Sequence, residues 1–104
     1  MTRVVVDPGV CSMNAAIEVT KINRRRFGIK VTTDCEMITR MGESLTEIRP
    51  DDILNHQVNS RVYQCASECQ VHTSCPIPMA ILKAAEVEAG LALPRPVTVQ
   101  FQPQ

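Results

Sequence analysis

The stretch Met13–Thr33, MNAAIEVTKINRRRFGIKVTT, decides the fold. Met13, Ala15, Ile17 and Val19 are apolar, with Glu18 and Thr20 between them. After Asn23-Arg24-Arg25 the odd positions are apolar again, at Phe27, Ile29 and Val31, with Gly28, Lys30 and Thr32 alternating. Period two on both sides of a polar break predicts an antiparallel hairpin with one buried face. Residues directly opposite each other share a face, so their numbers must sum to an even value. A three-residue loop at Asn23–Arg25 gives pairs summing to 48, such as Val19 with Ile29 and Lys21 with Phe27. A five-residue turn closing at Val19 and Phe27 is the competing register. Both bring Cys11 and Cys35 to one edge of the sheet, with Met13 opposite Cys35 in the first.

Working outward, Val4–Val6 predicts a short strand ended by Asp7-Pro8-Gly9. Asp34 is placed to cap a helix running to about Gly42, with Met37, Ile38 and Met41 as its apolar stripe. Residues 42–50 form a connection with no assigned local structure. Pro50-Asp51-Asp52 opens a helix reaching Cys69, with Leu54, Val58, Val62, Cys65 and Cys69 on one side. Cys75-Pro76 begins a third helix with Ile77, Ile81, Ala84 and Val87 inward, and Gly90 ends it before Pro94. Val97, Val99 and Phe101 alternate with polar residues, which predicts a final strand. The order β-β-β-α-α-α-β describes a single α+β domain over residues 1–104, a two-layer sandwich with a mainly antiparallel sheet and about three helices on one face.

The composition narrows the function classes. Eleven Lys and Arg balance eleven Asp and Glu, so the strong positive field of a generic nucleic-acid or acidic-membrane binder is missing. One Tyr, two Phe and no Trp leave nothing for bases to stack on. No nucleic-acid partner is therefore expected. Arg24-Arg25-Arg26 reads as a solvated turn, and no phosphate-cradling or dinucleotide motif is present. The apolar run Val4–Val6 is too short for a signal-peptide core, and nothing approaches the roughly 18 apolar residues of a membrane helix. The expectation is a cytoplasmic protein without a membrane partner, where thiols stay reduced.

Five cysteines in 104 residues are the unusual feature, and an odd number precludes a fully paired disulfide framework in the monomer. Cys75 precedes Pro76, which lacks an N–H and favours the first helical position, so its thiol should meet the positive end of a helix and ionise readily. His72 lies three residues earlier. Cys35 sits at a strand-to-helix junction, Cys11 follows a glycine turn, and Cys69 is six residues before Cys75. Thiols and imidazoles are the ligands of zinc, and four thiolates commonly hold iron–sulfur clusters. Cys11, Cys35, Cys69 and Cys75, with His72 as substitute, are the candidate metal ligands. No C-x-x-C pair supports them, so the case rests on convergence in space. Cys65, mid-stripe on a helix, reads as core, His56 as exposed, and Met37 and Met41 as packing.

The segments Asp7-Pro8-Gly9-x-Cys11, Cys35, His72-x-x-Cys75-Pro76-x-Pro78 and Glu86-Val87-x-Ala89-Gly90-Leu91-Ala92-Leu93-Pro94 resemble an uncharacterised cysteine-containing family of anaerobic bacteria and archaea. That resemblance spans nearly the whole chain and implies a small domain with no assigned activity. A weaker likeness is to thiol peroxidases of the osmotically inducible protein C and organic hydroperoxide resistance type. There a His-x-x-Cys-Pro-like segment opens a helix that a terminal strand follows. Those proteins place strands between their two reactive cysteines and are usually longer.

The leading expectation is a small cysteine-rich protein that binds zinc or an iron–sulfur cluster, with an unknown protein as partner. Thiol redox chemistry at Cys75, resolved by Cys35, Cys11 or Cys69, is the enzymatic alternative. A non-catalytic interaction domain with core cysteines is the third.

Overall fold

The computed structural model describes residues 1–103. Strands β1 (Thr2–Val6), β2 (Ala15–Asn23) and β3 (Arg26–Thr33) lead into helix α1 (Glu36–Ser44). A two-residue strand β4 (Glu47–Ile48) follows, then α2 (Pro50–Leu54), a 3-10 turn (Gln57–Asn59), α3 (Arg61–Glu68) and α4 (Ile77–Glu88). The four strands form one antiparallel sheet in the order β1-β2-β3-β4, so the chain is α+β. No helix among the described residues is long and apolar enough to cross a membrane.

The central hairpin takes the register whose pairs sum to 48, from Ala15 opposite Thr33 to Lys21 opposite Phe27. Burial of one face excludes any slip of one residue, which would turn Ile17, Val19, Phe27 and Ile29 to solvent, and of the two registers that keep that face the chain takes the one with the shorter turn. Only the turn differs. The register shifts between Lys21 and Asn23, Asn23 pairs with Arg26, and the Asn23 side-chain carbonyl accepts from the Arg25 N–H at 2.8 Å. The buried face meets Ile38 and Met41 of α1, Val62, Cys65 and Ala66 of α3, and Ile77, Ile81, Ala84 and Ala85 of α4 in one core. Gly42 brings α1 close to β3, since a Cβ there would stand 3.4 Å from the Val31 Cβ.

Three sequence expectations are corrected. The helix expected from Pro50 to about Cys69 is broken into α2, the 3-10 turn and α3, leaving Leu54 and Val58 exposed rather than on a buried stripe. Side chains that compete for backbone groups cause the break. The Asp52 carboxylate accepts from the Arg49 N–H at 2.8 Å and the Arg61 N–H at 2.9 Å, holding the starts of both helices. The Ser60 hydroxyl donates to the Asp52 carbonyl at 2.7 Å, and the Asn55 side chain accepts from the His56 N–H at 2.8 Å.

The final strand is absent as well: residues 92–103 have no regular structure, and the fourth strand is Glu47–Ile48 within the unassigned connection. There the Ile29 N–H bonds the Thr46 carbonyl, and the Leu45 and Ile48 side chains enter the core. Finally, Asp34 does not cap α1. Cys35 occupies that position, its N–H held by the Thr33 hydroxyl at 3.2 Å.

Helix α4 ends as its sequence predicts. Gly90 is left-handed at φ +75°, the Gly90 N–H bonds the Val87 carbonyl, and the Leu91 N–H bonds the Glu86 carbonyl. Gln70 closes α3 by the same pattern at φ +57°, with the Gln70 N–H on the Ser67 carbonyl and the Val71 N–H on the Ala66 carbonyl.

Candidate functional site

Chain direction sets the position of the cysteines. Strand β1 ends, β2 begins and β3 ends at the same edge, where Val6, Ala15 and Thr33 are neighbours. At the opposite edge α4 is pinned by Glu88, whose carboxylate accepts from the Thr2 hydroxyl at 2.7 Å and the Lys21 N–H at 2.9 Å. The 12 residues of α4 rise about 18 Å. The strand path from Lys21 back to Ala15 covers about 20 Å. The start of α4 is therefore carried to the edge that holds Cys11 and Cys35.

Cys75 is half-buried two residues before that helix; Pro76, expected as its first residue, is instead its cap, so Cys75 lies one position outside the cap. Its own N–H bonds the His72 carbonyl at 3.0 Å, closing a turn over Thr73 and Ser74. Pro76 cannot donate, so the Ile77 N–H is the first amide available to favour a thiolate at Cys75. Burial pushes the Cys75 thiol above its ordinary value, against the lowering by the Ile77 N–H. The neighbouring Cys35 and Cys11 push it further up. The net direction is opposite to the ready ionisation expected from the helix start, because that expectation left out desolvation.

Cys35 is half-buried at the start of α1 and packs against the core. Cys11 is exposed in the β1–β2 connection. That loop carries Gly9 at φ +90° and Ser12 at φ +58°, and its bonds are short-range: Gly9 N–H to Asp7 Oδ1, Ser12 N–H to the Gly9 carbonyl, and Asn14 N–H to the Ser12 carbonyl. One bond ties it to the sheet, from the Thr33 hydroxyl to the Asn14 carbonyl at 3.0 Å.

Cys69 belongs elsewhere. It follows α3 and lines a shallow polar cleft with Arg40, Glu43 and Ser44, at the end of α1 away from Cys35. Cys65 lies one helical turn before Cys69, fully buried, with its thiol donating to the Met41 carbonyl at 3.6 Å. Burial pushes Cys65 up, and the adjacent Cys69 adds to it. The five free thiols thus divide into Cys11, Cys35 and Cys75 at the sheet edge and Cys65 and Cys69 along α3. His72 is exposed at the turn before Cys75. As the chain stands, no three His, Cys, Asp or Glu side chains among the described residues are arranged to hold a metal ion.

The Ile77 amide is the element of this site not anticipated from the sequence. Its signal was available, because a proline directly after a cysteine moves the first free helical N–H one residue along.

A family model matches residues 2–101. The chain belongs to that family of unknown function, DUF6951. The expectation of an uncharacterised family therefore holds. No curated protein and no solved structure matches this DUF6951 chain. The terminal strand that the peroxidase likeness calls for is not formed.

Proposed function

We propose that this DUF6951 chain is a small thiolate metal-binding protein, taking zinc or an iron–sulfur cluster through Cys11, Cys35 and Cys75, with His72, three residues before Cys75, as a further donor. The reading is supported by the free thiols of Cys11 and Cys35 at the end of the sheet that the start of α4 approaches, where both oppose charge on Cys75. Thiols that oppose one another's ionisation are the setting in which a bound cation is most stabilising, since it takes them all as thiolates. Loading requires the loop over residues 7–14 to bring Cys11 inward, and its mainly local hydrogen bonds leave it free to do so. Cys69 is left out of the ligand set because it keeps company with Cys65 and α1.

Thiol redox chemistry is the less favoured reading. It needs Cys75 as a thiolate near neutral pH with no cation beside it, and burial works against that.

Anaerobic purification followed by elemental analysis and an absorption spectrum on one sample tests the proposal. The expected result is a metal bound in stoichiometric amount, lost in Cys11→Ser, Cys35→Ser and Cys75→Ser and retained in Cys69→Ser. A folded, colourless, metal-free protein that takes up neither zinc nor ferrous iron with sulfide refutes it.

A further inference from the structure

The segment Pro96–Phe101 has the alternation of a half-buried strand, yet Val97, Val99 and Phe101 are 52%, 84% and 98% exposed. Residues 91–103 are all exposed. Across the molecule, β1 is the terminal strand of the sheet, and none of the described residues pairs with its outer edge. Thr2, Val4 and Val6, on its helix-facing side, are only half-covered, and Val5 is exposed on the other. At the opposite edge the two-residue β4 pairs with Phe27 and Gly28. An open strand edge of five residues without proline or inward charge is a ready template for another strand. One chain therefore carries both an unpaired edge and an unpaired strand-forming segment.

The leash between α4 and this segment is short and rich in proline. Gly90 ends α4, and Leu93-Pro94-Arg95-Pro96 follows with an Arg95 N–H to Leu93 carbonyl turn across Pro94. Proline at 94 and 96 holds each preceding residue extended and removes two donors, so the leash is stiff and projects the segment outward. Exchange of an identical terminal element between copies is a low-cost route to a dimer.

We propose that two copies of this chain form a two-fold dimer in which residues 96–101 of each add as a fifth strand to the free β1 edge of the other. Val97, Val99 and Phe101 then face the helical layer beside Thr2, Val4 and Val6, and Thr98 and Gln100 remain in water. Burying these three side chains twice, with the edge they cover, removes on the order of 1,200–1,600 Å² of surface, the range of a stable specific interface. Main-chain bonding supplies register, and the alternate apolar side chains supply specificity.

The test is light-scattering mass measurement over a dilution series with hydrogen exchange on the same samples, on the full chain and on the double variant Val99→Asp, Phe101→Asp. Both positions are exposed, so the variant keeps the monomer core intact. The expected wild type is a dimer with protected amides in residues 97–101 and in β1. In the double variant the dissociation constant rises at least tenfold and both sets of amides lose protection. A wild type that stays monomeric at 100-fold the dilution limit of the series overturns the proposal. So does a monomer whose residues 97–101 are protected, which would mean pairing with its own β1. A dimer that the double variant leaves unchanged overturns it too.

Discussion

Glu88 is the bond between the last helix and the first two strands, so Glu88→Gln isolates how much one carboxylate holds the layers together. The ionised group accepts from the Thr2 hydroxyl at 2.7 Å and the Lys21 N–H at 2.9 Å, and the Met1 amino nitrogen lies 3.2 Å away. A hydrogen bond to a charged group contributes about 1.5–3 kcal/mol net. Glutamine keeps one acceptor and turns an NH2 towards the other donor, so one bond is lost and the other weakened to a neutral one. The expected loss is about 1.5–3 kcal/mol, which for a chain of this size lowers Tm by about 7–14 °C at pH 7.

The pH dependence has a definite sign. The Lys21 N–H first, then the Thr2 hydroxyl and the Met1 amino group, hold the Glu88 carboxyl below its ordinary value. The unfolded chain therefore binds a proton at Glu88 more readily than the native one. The stabilisation is fully present above the ordinary value of 4.5 and is lost as pH falls through the depressed native value. Thermal unfolding by circular dichroism, at several pH values and fixed protein concentration, checks it. The gap between wild type and variant should be wide and flat from about pH 6 to 8 and close towards acid. A gap under about 2 °C at pH 7, or one that widens on acidification, refutes the reasoning. Glu47→Gln is the control: Glu47 is also held down by Arg26, but that pair is solvent-exposed and should change Tm little.

Two further substitutions test the helix ends. Gln70→Gly removes the penalty of a left-handed non-glycine residue at the end of α3 and should raise Tm by about 2–5 °C, against any loss from a more flexible unfolded chain. A lower Tm would mean that the Gln70 side chain contributes more than its backbone strain removes. Asp52→Ala deprives the Arg49 and Arg61 N–H groups of their acceptor at once and should cost about 2 kcal/mol, read as a lower denaturation midpoint in urea with an unchanged slope. An effect below about 0.5 kcal/mol would mean that water replaces both bonds.

Strand parity and the requirement for one buried face narrowed the hairpin to two alternate registers, and the assembled chain takes the one whose pairs sum to 48. That Cys11 and Cys35 lie at one end of the sheet was legible for the same reason, since strand directions bring those ends together, whereas the place of Cys75 depends on how α4 packs. The end of α4 at Gly90 is likewise a local matter of backbone conformation. Other features depended on groups distant in the chain. The break between α2 and α3 follows from Asp52 reaching both Arg49 and Arg61, a choice that the apolar stripe from Leu54 to Cys69 does not register. Cys69 went to Cys65 and the far end of α1 because that break ends α3 against the polar cleft.

Strand pairing makes the contrast sharpest. Alternation in Val97–Phe101 states only which residues would share a face, and a strand forms only where an edge lies within reach. Glu47–Ile48, too short to show any period, lies against β3 and becomes a strand, while the better pattern at residues 97–101 stays unpaired beyond two prolines. The upward push on Cys75 has the same origin. A helix start can be read from Cys75-Pro76, but the desolvation that outweighs it is set by what the whole chain packs around the sulfur. Periodicity and turn chemistry act between near neighbours and are written in the sequence, whereas edge availability and burial are properties of the assembled chain.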